Sequence, residues 1–147
     1  MIDQSEILYR GCKALVGLFR DQIEGRLECV HTRIFNYVIH PEMKYVYYGI
    51  SKDAKSGAPT HPEHIVPCAV LINESFRLIK EGNLADDEIA KLLKKHWKIA
   101  TISKDEAKRL DTELKLKSKM PEKWKFEDGD TFARLKVAGI SIEKDEL

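Results

Sequence analysis

Leu8, Cys12, Leu15, Phe19 and Ile23 recur at spacings of four, three, four and four. That period belongs to one face of an α-helix and to nothing with the two-residue alternation of a strand, so an amphipathic helix is expected from about Asp3 to Gly25. Asp3 with Glu6 behind it supplies a start signal, and Gly25 a stop. A helix with one apolar face must bury that face against other elements. The 147 residues, 43% of them hydrophobic, suffice to build such a core as one compact domain or as two lobes. The first residues hold no long apolar run, and elsewhere charge interrupts the apolar stretches within about ten residues. Neither a signal peptide nor a membrane span is indicated, and a cytoplasmic protein is expected. Cys12, Cys29 and Cys68 are odd in number, widely spaced and without a CxxC pair, so reduced thiols are the default.

Farther along, Val30 to Ile39 and Tyr45 to Ile50 are rich in β-branched and aromatic residues, with His40-Pro41-Glu42 between them. This reads as a β-hairpin. Ser51 to Pro59 has the composition of an exposed loop. After Pro67, the apolar residues Val70, Leu71, Phe76, Leu78 and Ile79 predict a buried helix to about Glu81, ended by Gly82-Asn83. A second helix is expected from Asp86 to His96, behind an acidic first turn. Trp97 to Ile102 alternates as a short strand. Ser103-Lys104-Asp105-Glu106 then fits a capping box, with Ala107, Leu110 and Leu114 on the apolar side of the helix behind it. A last helix from Asp130 carries Phe132, Leu135 and Ala138 inward and stops at Gly139. The expected class is α+β, as a single domain in three parts: an N-terminal helix and hairpin over 1–58, a strand–strand–helix unit with a helical insertion over 59–120, and a C-terminal helix over 121–147.

Residues 60 to 68 read THPEHIVPC, crowding two of the five histidines, an acid, two prolines and a cysteine into nine positions. Pro62 and Pro67 bracket Glu63-His64-Ile65-Val66 and hold the segment extended. Glu63-His64-Ile65-Val66-Pro67 resembles the first strand of the HNH, or ββα-metal, nucleases. The resemblance covers roughly Pro59 to Leu116, with the strand Trp97 to Ile102 and the capped helix from Ser103 in the family's order. It implies a metal-dependent endonuclease that hydrolyses phosphodiester bonds, with His64 activating water and Glu63 holding a divalent cation, magnesium or manganese in preference to zinc. His61 would add a nitrogen ligand. The family's helix ligand falls in register on Ala107, which cannot bind metal, and Asp105 is the substitute. The alternative implied by Ala107 is a non-catalytic module of the same fold that binds nucleic acid or a protein partner.

Net charge is +1, but Lys91 to Lys125 holds twelve Lys and Arg against five acids, a local excess of seven. A polyanion is the natural partner of such a stretch, DNA in preference to RNA. Lys104, Lys108, Arg109, Lys115, Lys117 and Lys119 are its candidate phosphate contacts. Cys68 with His64 also suggests a thiol nucleophile and its base, but the sequence shows no third group to orient the pair. That chemistry is therefore not expected.

Overall fold

The computed structural model describes residues 2–147. Helix α1 (Gln4–Ile23) opens the chain, with the Asp3 carboxylate accepting from the Glu6 N–H at 2.8 Å as its cap. Leu8, Cys12, Leu15, Val16 and Phe19 are buried along it. Replacing a fully buried Leu15 by alanine should cost about 2–5 kcal/mol, since removing its methyls leaves a cavity as well as lost transfer energy.

The first arm of the expected hairpin is absent. Residues Ile34–Val38 form a short helix, α2, and Glu42–Val46 another, α3, on either side of a cis His40–Pro41 peptide. The reason lies in the spacing. Phe35 and Ile39 are buried, whereas Asn36 and Tyr37 between them are exposed, a helical stripe that β-branched composition conceals. Phe35 packs edge-on against Trp97, ring centroids 5.0 Å apart. Strand β1 (Tyr47–Ser51) follows, then the single turn α4 (Lys52–Lys55), capped by Ser51.

Strand β2 (Thr60–His64) delivers the chain through Ile65, Val66 and Pro67 to helix α5 (Cys68–Glu81). Gly82, at φ +73°, closes α5 in a left-handed cap that favours glycine. Helix α6 (Asp86–His96) leads to strand β3 (Ile99–Ser103), and the expected capping box is present. Ser103 Oγ accepts from the Glu106 N–H at 3.1 Å, and Glu106 Oε1 from the Ser103 N–H at 2.8 Å, at the start of α7 (Lys104–Lys108). A π-helical turn over Arg109–Glu113, helix α8 (Ala133–Val137) and strand β4 (Ile142–Lys144) complete the α+β architecture.

The sheet order is β2-β3-β1-β4. β2 and β3 pair antiparallel, Glu63 opposite Ala100 and His64 opposite Ile99, as expected. β1 is parallel to β3 and antiparallel to β4, so it never pairs with the segment before it. β3 is covered on both faces, so the alternation expected of this strand does not appear in its burial. One core cluster joins α1, α5 and α6 to Phe35, Val66, Trp97 and Ile99. The other holds Ile65, Ala100, Ile102, Leu110, Leu135 and Ile140, with Ala107 packed against it. Ile65 and Val66 thus send adjacent side chains into different clusters, locking the segment that follows His64. No helix among the described residues is long and apolar enough to cross a membrane.

Candidate functional site

The strand β2 ends where the two prolines predict rigidity, and its last two residues point to different sides. Glu63 faces Arg134, whose guanidinium is 1% exposed and lies 3.4 Å from Glu63 Oε1. Arg134 also donates to the carbonyls of His64 at 2.5 Å and of Leu116 at 3.0 Å, so α8 pins the chain between β2 and α5. A buried guanidinium with its donors on carbonyls and a carboxylate is satisfied, and it holds the backbone of the site in place. His61, two residues before Glu63 on the same face of β2, brings Nε2 to 3.4 Å from Glu63 Oε2.

His64 faces the other way. Its Nε2–H donates to Glu42 Oε2 at 2.7 Å, and the Trp97 indole N–H donates to the same oxygen at 2.7 Å. Glu42 is buried, at 6% exposure, in α3, and among the described residues these two donors are the ones its carboxylate accepts from. Burial by itself would push the His64 imidazole down. The nearby Cys68 side chain and the Glu42 carboxylate, which accepts from Nε2, outweigh it, and His64 is pushed up to about 10.

Cys68 is the first residue of α5, behind Pro67, which offers no side-chain cap. Pro67 O accepts from the N–H groups of Val70 and Leu71, whereas the N–H groups of Cys68 and Ala69 donate to no protein acceptor among the described residues. The thiol therefore stands at the positive end of a fourteen-residue helix beside two free backbone donors. Cys12 offers the contrast, since burial in the core pushes its thiol up to about 12. Glu42, His64 and Cys68 open on a cleft of about 490 Å³, which Glu63, Arg134, Arg33 and Lys117 also line.

The residues expected to hold a metal stand toward the two ends of the β2–β3 ladder. Glu63 and His61 do meet. Asp105 is exposed in the first turn of α7, beyond Ser103, which pairs with Thr60 at the far end of the β2–β3 ladder. Ser103 lies three positions beyond Ala100, about 10 Å along a strand. Glu63 is already engaged by a cation, Arg134. Among the described residues no group of three or more His, Cys, Asp or Glu side chains is placed to hold a metal ion.

The basic residues also divide. Arg109 is committed to the fold through Nη1 donating to the Ala138 carbonyl at 2.6 Å. Lys104, Lys108, Lys115, Lys117 and Lys119 are exposed, and of these Lys117 reaches the cleft. Sequence reasoning missed Glu42, which lies 22 residues before His64 in a segment that reads as a turn. Comparison with protein-family models, with curated proteins and with solved structures gives no match.

Proposed function

We propose that this chain is a cysteine-dependent acyl hydrolase, with Cys68 as nucleophile, His64 as acid and base, and Glu42 as the buried carboxylate that positions His64. One observation carries the reading: His64, which lines the same cleft as Cys68, is gripped at Nε2, 2.7 Å away, by a buried carboxylate that the Trp97 indole also holds. That carboxylate is the third group whose absence from the sequence argued against a thiol nucleophile. A histidine held in its charged form beside a sulfur stabilises the thiolate, which is the attacking species.

Cys68 Sγ adds to the carbonyl carbon of an ester, thioester or amide. The oxyanion that forms is met by the free N–H groups of Cys68 and Ala69 at the start of α5. Glu42 leaves Nδ1 of His64 free, so its proton passes to the departing alcohol, thiol or amine as the carbonyl re-forms and the acyl group stays on sulfur. Neutral His64 then takes a proton from water, the hydroxide displaces Cys68, and carboxylic acid and charged His64 are regenerated. No oxidant or metal enters this balance.

The test follows p-nitrophenyl acetate turnover together with the intact mass of the protein, with Cys29 as the exposed control thiol. Acetylation should localise to Cys68, Cys68→Ala should abolish turnover, and His64→Ala should lower it by about 10²–10⁴-fold. EDTA should have no effect. Acetylation no faster at Cys68 than at Cys29 would overturn the reading.

A second reading, the metal-dependent nuclease or its non-catalytic nucleic-acid-binding counterpart, is favoured by the antiparallel β2–β3 pair running into capped α7. In it His64 is the base, which requires the imidazole to be neutral when water is attacked. Metal-dependent, EDTA-sensitive nicking of supercoiled plasmid or cleavage of single-stranded DNA, lost in His64→Ala and kept in Cys68→Ala, would favour it. In the binding module, neutralising Lys115, Lys117 and Lys119 weakens salt-sensitive retention on a duplex or heparin column.

A further inference from the structure

The cleft's two acids are both spoken for, Glu42 by His64 and Trp97 and Glu63 by Arg134. Its two exposed cations are not. Arg33, at the start of α2, and Lys117, on the segment after the π-helical turn, line the same cleft from stretches distant in sequence, and neither side chain has a hydrogen-bond or ion-pair partner among the described residues. The free N–H groups that open α5 add partial positive charge at the cleft's reactive end. From these we infer that the cleft selects acyl compounds carrying an anionic group, a carboxylate or a phosphate, which Arg33 and Lys117 hold while the carbonyl lies at Cys68. The inference rests on Cys68 being the nucleophile.

Charge complementarity of this kind is recognition chemistry with a geometric limit. A cleft of about 490 Å³ takes a small acid or phosphorylated metabolite-sized molecule, not a folded partner. The guanidinium of Arg33 pairs with two oxygens of one group, and Lys117 adds a point charge. Field lines gathered in a cleft raise the local concentration of an ion of opposite sign by about tenfold or more.

Two alkylating probes of one size and opposite charge character test this on the full chain. Iodoacetamide is neutral and iodoacetate is an anion, and both form the same carbon–sulfur bond with loss of iodide. The ratio of iodoacetate to iodoacetamide rate, read by peptide mass at Cys68, should exceed the ratio at exposed Cys29 in the same sample by about tenfold. Arg33→Gln and Lys117→Gln should each reduce the Cys68 ratio several-fold. Competition at matched ionic strength by inorganic phosphate and by succinate then separates the two sources, the stronger competitor naming the group preferred. Equal ratios at Cys68 and Cys29, ratios unmoved by both substitutions, or competition by neither anion would overturn the inference. Failure of the parent reading shows separately, as an iodoacetamide rate at Cys68 no greater than at Cys29.

Discussion

Glu42 is the residue on which the site turns. Glu42→Gln retains an oxygen that accepts from Trp97 and removes the charge that holds His64, so its effect on chemistry should exceed its effect on folding. Loss of a charge-assisted hydrogen bond predicts about 1.5–3 kcal/mol of destabilisation, measurable by urea titration. The pH profile of p-nitrophenyl acetate turnover should shift as well, because His64 loses one of the groups that push it up. A destabilised variant with an unshifted profile would make Glu42 a structural residue only. Nothing near His64 in the chain announces this partner. THPEHIVPC shows the rigidity, the histidine and the thiol, whereas their orienting acid is set by where α3 docks on Trp97.

Among the elements, those with a strong local signal were legible. The stripe of α1, the acidic first turn of α6 and the Ser103–Glu106 cap each depend on neighbours within a few residues, so the sequence carries them complete. Ser103→Ala should cost about 1 kcal/mol in urea or thermal unfolding. It should leave Cys68 alkylation unchanged, since the cap sits at the far end of the β2–β3 pair. Helix α2 was not legible, because one turn gives too few residues for a period to outweigh β propensity. The partners of β1 were hidden for a different reason, being supplied by β3 and β4 from far along the chain. Gly49 records that distant packing: a Cβ there would stand 1.9 Å from the Glu143 carbonyl oxygen of β4. Gly49→Ala should therefore loosen β4, seen as faster hydrogen exchange at Ile142–Lys144 than in the rest of the sheet.

At the scale of the whole molecule, two histidines bound the pH range of greatest stability from opposite sides. His96 is buried between α6 and the segment before α8, with Nε2–H donating to the Phe126 carbonyl and Nδ1 accepting from the Thr131 hydroxyl, both at 2.9 Å. Burial, with Lys95 and Lys98 nearby, pushes it below its ordinary value. The unfolded chain then binds the proton more readily, so this stabilisation is complete above about pH 6.5 and is lost as pH falls below it. His64 runs the other way. Raised to about 10, it contributes stability that is complete below about pH 6.5 and is lost as pH rises through 10. Urea unfolding across pH should show both flanks, with His96→Gln flattening the acid one. The alkaline flank shares its origin with the proposed catalysis, since it exists only if His64 keeps its proton beside Cys68 and Glu42. Nitrogen-15 NMR of the His64 ring through a pH titration measures that directly. An imidazolium should persist to about pH 10 in the native chain and titrate at clearly lower pH in Cys68→Ala, whereas a His64 that titrates near 6.5, or at the same pH with and without the Cys68 sulfur, would show that the sulfur does not hold its proton.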